Sequence, residues 1–119
     1  MKNCIFCKII QKTLPAKIVF ENRDFLAFYD INPKARFHIL IVPKKHIPSL
    51  EKLKKQDQEL ISQVFFVIQK ISKKLRLNKK GYKIAINVGR GGGQLIDHLH
   101  FHFLAGWKTK HQLENQKFP

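Results

Sequence analysis

The stretch Asp97-His98-Leu99-His100-Phe101-His102-Phe103-Leu104 constrains the fold more than any other part of the chain. It sets three of the six histidines at alternate positions, with apolar residues between them. Successive side chains of a strand point to opposite faces. A strand here puts His98, His100 and His102 on one face and Leu99, Phe101 and Phe103 on the other. A helix would scatter the imidazoles and leave no apolar stripe. The loop just upstream, Gly89-Arg90-Gly91-Gly92-Gly93, also favours a strand. Three neighbouring imidazoles repel when protonated and need hydrogen-bond partners when buried, so packing alone accounts poorly for them. Metal ligation and nucleophilic catalysis are the two chemistries that use such a face.

The rest of the chain is read around that strand. Its 119 residues suffice for one domain with a modest core. A short helix over residues 4–11 is ended by Pro15. Strands follow over 18–20 and 25–29, joined by the turn Glu21-Asn22-Arg23-Asp24. A third, strongly apolar strand over 37–42 carries His38, which taken alone reads as a structural residue. The main helix is expected over 57–77, with Leu60, Val64, Ile68, Ile71 and Leu75 as its core stripe and Phe65 and Val67 widening it. Asp57 is expected to cap its start, and Asn78 and Gly81 to stop it. A strand over 82–88 leads to the glycine loop and the histidine strand. Residues 107–119 form a polar tail without periodicity. The order predicts an α+β fold, an antiparallel sheet covered by helices on one side, with the other face left for a site or a second subunit.

Charge and cysteines narrow the function. The formal net charge is +15, which suits a polyanion partner. Yet only four of the 23 basic residues are arginines, and the lysines are scattered among many Ile, Phe and Asn residues. That mixture is expected from biased coding, so nucleic acid is expected to bind non-specifically at most. No apolar run approaches the ~18 residues of a membrane span. Lys8 and two cysteines interrupt any signal-peptide core, so a soluble cytoplasmic protein is expected. Cys4-Ile5-Phe6-Cys7 admits a redox dithiol, half a zinc site or two incidental thiols. The glycine loop is neither a Walker loop nor a dinucleotide fingerprint, having Gln94 where the latter needs glycine. Its glycines still let backbone N–H groups approach a phosphate beside the histidine strand.

These residues carry a resemblance. His98-Leu99-His100-Phe101-His102-Phe103-Leu104 resembles the signature of the histidine-triad (HIT) superfamily. The blocks Cys4-Ile5-Phe6-Cys7-Lys8-Ile9-Ile10, Leu14-Pro15-Ala16-Lys17, Phe28-Tyr29-Asp30-Ile31-Asn32-Pro33, Pro43-Lys44-Lys45-His46 and Gly92-Gly93-Gln94 follow in family order, from about residue 4 to 106. Together they look like the Hint branch, the nucleoside phosphoramidases. The resemblance implies a five-stranded antiparallel sheet with two helices, dimerising into a ten-stranded sheet. It implies hydrolysis of purine nucleoside 5′-phosphoramidates without a cofactor for the chemistry. His100 would attack phosphorus, His102 would lie near the phosphate, His98 would order the site, and His38 would support the triad. Ile5, Phe6, Ile9, Phe28, Asp30 and Ile31 would form the nucleoside pocket, and Asn87, Gly93 and Gln94 would lie by the phosphate. Bacterial relatives with this CxxC imply a structural zinc held by Cys4, Cys7, His46 and His98.

The sequence departs from the family pattern at three positions. Leu95 stands where a hydroxyl or acidic residue is common, Asp97 where an aromatic residue or proline is frequent, and Trp107 where glycine is usual. Cleavage of dinucleoside polyphosphates is one alternative. A catalytically weak nucleotide or nucleic-acid binder is the other.

Overall fold

A computed structural model describes residues 3–116. Five strands form one antiparallel sheet: β1 (Ile18–Glu21), β2 (Phe25–Tyr29), β3 (Phe37–Pro43), β4 (Lys83–Ala85) and β5 (Phe101–Ala105). Their order is β1-β2-β3-β5-β4, so the apolar β3 and the histidine strand lie side by side inside the sheet. Asn22 closes the β1–β2 hairpin, its Oδ1 accepting from the N–H groups of Asp24 (3.0 Å) and Phe25 (2.8 Å).

The alternation along β3 divides the core in two. Ile39 and Ile41 join Phe101, Phe103, Val64, Val67, Ile68 and Ile71 in one cluster, under helix α2 (Gln58–Lys74). Leu40 and Val42 join Phe6, Cys7 and Ile9 of helix α1 (Ile5–Ile10) in the other. Both faces are therefore covered, and the histidine face is not left open as the strand order had suggested. The apolar side of α1 packs on Leu40 and Val42, with Phe6 at the histidine end against His98 and His100.

Several boundaries differ from the sequence expectation. Helix α2 stops at Lys74, because Arg76 turns left-handed (φ 59°) and the Leu77 N–H donates back to the Ser72 carbonyl (2.8 Å). This is a Schellman ending made without glycine, ahead of Asn78 and Gly81. Asp57 does not cap α2. Its buried carboxylate accepts from Lys45 Nζ (2.6 Å) and the Lys54 N–H (3.0 Å), fixing the 3₁₀ turn Lys55–Asp57. Phe65 does not widen the core stripe; it and Phe66 are 64% and 63% exposed, on the outer side of α2. The tail contains a third short helix, α3 (Lys110–Glu114), started by a Thr109–Gln112 capping box.

The largest difference concerns the histidines. Strand β4 ends at Ala85, and β5 begins only at Phe101, where Ala85 pairs with His102. His98 to His100 run ahead of the ladder, with the Leu99 N–H donating to the Ile47 carbonyl (2.6 Å). The period-two pattern thus continues past the end of the sheet, held by a loop instead of a strand.

Candidate functional site

Two clusters meet along residues 98–102. The first is a chain of neutral imidazoles. The backbone N–H of Lys34 donates to His38 Nδ1 (3.0 Å), so the hydrogen of His38 sits on Nε2. That N–H donates to His102 Nδ1 (2.9 Å). His102 therefore carries its own hydrogen on Nε2. The Asp30 carboxylate lies 3.5 Å from His38 Nε2, and its other oxygen accepts from the Asn32 N–H (2.8 Å). His100 is set differently. Its Nδ1–H donates to the carbonyl of His98 (2.7 Å), which leaves the Nε2 lone pair free. The face thus holds one imidazole poised as a nucleophile and one poised as a donor.

Burial keeps these rings neutral. It lowers the affinity of His100 and His38 for protons below the ordinary imidazole range. Burial, reinforced by His100 and His38, takes His102 down to about 3. The rings pack edge-on, with centroids 5.0 Å apart for His100 and His102. Phe6 of α1 stands against His100 (5.1 Å) and Phe28 (5.6 Å).

The second cluster is Cys4, Cys7, His46 and His98, whose donor atoms all lie within 4.8 Å of one another. His98 Nε2–H donates to the Pro43 carbonyl (2.8 Å), so its Nδ1 lone pair faces the cluster. From that Nδ1, Cys4 Sγ is 3.3 Å, Cys7 Sγ 3.6 Å and His46 Nδ1 3.2 Å; Cys7 Sγ to His46 Nδ1 is 3.3 Å. Ligand edges of a tetrahedral zinc site, with Zn–N of ~2.0 Å and Zn–S of ~2.3 Å, are about 3.3–3.8 Å. The donor set and its spacing fit zinc. Burial, then the neighbouring Cys4, pushes the Cys7 thiol up to about 11, a cost that thiolate–metal bonding reverses. Asp30, His38 and His102 also approach one another closely. There, however, the proton on His38 Nε2 is fixed by Lys34, so that trio forms a hydrogen-bond relay and not a ligand set.

The glycine loop is built from within. The N–H groups of Gly92, Gly93 and Gln94 donate to the carbonyls of Gly89, Arg90 and Gly89. Gln94 is buried; its Oε1 accepts from the Gly89 N–H (3.0 Å) and its amide donates to the Pro48 (2.7 Å) and Ile96 (2.9 Å) carbonyls. Its side chain shapes the loop rather than facing a phosphate. Gly93 takes φ 88°, which only glycine adopts without strain. Asn87 Nδ2 donates to the Gly92 carbonyl (2.8 Å). Arg90 grips Asp97 with both ends of its guanidinium (3.0 and 3.1 Å) and also donates to the Gln94 carbonyl.

Of the expected nucleoside-pocket residues, Phe6, Ile9 and Phe28 are buried against one another, Asp30 is half-buried, and Ile5 and Ile31 are exposed. The carbonyls of Pro43 and His98 and the N–H of Lys34 escaped sequence reading, because backbone groups carry no side-chain signal. The Arg90–Asp97 clasp had one: opposite charges seven residues apart across a glycine loop.

The HIT domain is matched over residues 11–109. The chain belongs to the HIT family. An uncharacterised HIT-like protein of Buchnera aphidicola from Acyrthosiphon pisum is 44% identical over 108 residues, 91% of this chain and 95% of that protein. The crystal structure of a HIT family hydrolase from Legionella pneumophila has a TM-score of 0.86 at 42% identity, covering 89% of this chain and 95% of its own. A histidine triad protein of Clostridium difficile has a TM-score of 0.88 at 42% identity, covering 92% and 95%. The five-stranded antiparallel sheet with α1 and α2 is thus the HIT fold.

Proposed function

We propose that this HIT protein is a hydrolase of the Hint type, cleaving the P–N bond of purine nucleoside 5′-phosphoramidates. The observation that carries this reading is the tautomer of His100. Its Nδ1–H is held by the His98 carbonyl, so Nε2 presents a lone pair from a buried, neutral ring. In the first step that lone pair attacks phosphorus. The new P–N bond to His100 forms as the bond to the amine breaks. His102, with its hydrogen fixed on Nε2 by His38, keeps that proton and donates a hydrogen bond to the phosphoryl oxygen as charge builds there, and the departing amine takes its proton from water. Water then breaks the nucleotidyl–His100 bond, releasing the nucleoside monophosphate and restoring the imidazole. Asp30, Phe6 and Phe28 are assigned to the nucleoside, and His100 and His102 to the phosphate.

A zinc ion on Cys4, Cys7, His46 and His98 is assigned a structural part: when bound, it supplies cross-linking of α1 to the segment before β5. Cys4 and Cys7, assigned as zinc thiolates and not as a disulfide, suit a cytoplasmic setting. No helix among the described residues is long and apolar enough to cross a membrane. Leu95, 78% exposed, supplies no proton to a leaving group, which favours substrates whose amine leaves readily. Rates on a nucleoside phosphoramidate and on a dinucleoside polyphosphate, each with His100→Ala as control, test the proposal. The phosphoramidate is expected to react faster by at least tenfold. A preference for the polyphosphate would reassign the substrate class.

A further inference from the structure

The C-terminal tail walls a cavity of about 280 Å³ at the Phe37 end of β3. Gly106 makes the crossing (φ 109°): a Cβ there would lie 2.7 Å from Arg36 Cβ, so only glycine brings Trp107 so close to β3. Tyr82 is a fixed wall, stacked on Phe103 with centroids 4.7 Å apart. Lys83 ties the tail down, its Nζ donating to Gln116 Oε1 (3.0 Å) and sitting 5.9 Å from the centre of the Trp107 ring.

The rim is cationic. Arg36, Lys80, Lys83 and Lys108 line the cavity, and no Asp or Glu does. The ion pairs among the described residues engage Lys12, Arg23, Lys44, Lys45, Arg90 and Lys110, and none engages Arg36, Lys80 or Lys108. Three cations without carboxylates thus converge on one aromatic-walled hollow. In a chain of net charge +15 they repel one another unless an anion joins them.

We propose that this cavity binds a nucleoside monophosphate at a site separate from the histidine face. Its size is near the lower end for small-molecule pockets, about 300 Å³, and well beyond that of a bare phosphate. Its walls offer an aromatic surface to a base, and its rim offers charge to a phosphate. The site is independent of the proposed reaction, so the two stand or fall separately.

Trp107 is the only tryptophan of the chain and reports directly on the cavity. The experiment titrates the full-length protein with AMP, adenosine and inorganic phosphate, following Trp107 fluorescence, and repeats this with the double variant K80E/K108E. The expected result is a saturable change with AMP, little with adenosine or phosphate at equal concentration, and at least tenfold weaker AMP binding in K80E/K108E. The circular dichroism spectrum and Tm of that variant should match those of the wild type, which shows that it folds. Equal AMP titrations in the two proteins would overturn the proposal. So would a response to phosphate matching that to AMP, or a response to an oligonucleotide with none to AMP.

Discussion

At the residue scale, the site depends on which ring nitrogen holds each hydrogen, and backbone groups decide that. Lys34 fixes His38, His38 fixes His102, and the His98 carbonyl fixes His100. His38→Phe keeps the ring-sized volume but removes the donor to His102. Steady-state kinetics of that variant are expected to show kcat down by about a hundredfold, the low end of such hydrogen-bond and proton-transfer effects, with KM little changed. An unchanged kcat would mean that the relay is idle. The same burial predicts a pH dependence. An unfolded imidazole titrates near 6.5 and His102 near 3 in the fold, so between those values only the unfolded chain takes up the proton. Stability is then full above pH ~6.5 and falls as the pH drops towards 3. At pH 5 the loss from His102 is on the order of 2 kcal/mol. Urea midpoints at pH 7.5 and 5.0 check this, and the midpoint should be lower at 5.0. The alternation of His98, His100 and His102 was legible from the sequence. Their division of labour was not, since it is written largely in backbone N–H and C=O groups, which carry no side-chain signal.

At the element scale, α1 is six residues long and too short to hold itself together. Its buried side packs on Leu26, Phe28, Leu40 and Val42, and Cys4 and Cys7 carry it to His46 and His98. Removing a ligand should therefore cost fold as well as metal. Cys4→Ser is expected to lower the metal content of protein purified without chelator from about one zinc per chain, and to lower Tm by several degrees. Equal metal content and Tm would separate α1 from any metal. The strands over 25–29 and 37–42 were readable because apolar, β-branched and aromatic residues crowd there. The end of α2 was not, because Arg76 takes a conformation usually left to glycine. Nor was the end of β4: the residues over 86–88 alternate as a strand would, but β5 offers them no partner.

At the scale of the whole molecule, Phe65 and Phe66 stand exposed on α2, side by side, on the face turned from the core. We propose that they meet a second copy of the chain in the dimer that the Hint resemblance implies. Phe65→Glu with Phe66→Glu should convert a dimer to a monomer in sedimentation, with the fold retained by circular dichroism. A wild type that sediments as a monomer would end that proposal. The fold class and the histidine face were visible from composition and period alone. The covering of both sheet faces was not, since the apolar spacing of α1 does not say which face receives it.

In the proposed reaction His100 becomes covalently nucleotidylated. A single-turnover reaction of a purine nucleoside phosphoramidate, quenched and examined by peptide mass analysis, tests it most directly. A nucleoside monophosphate adduct is expected on the peptide bearing His100, absent in His100→Ala, with hydrolysis reduced by at least a thousandfold in that variant. Wild-type hydrolysis by His100→Ala, or an adduct on another residue, would contradict it.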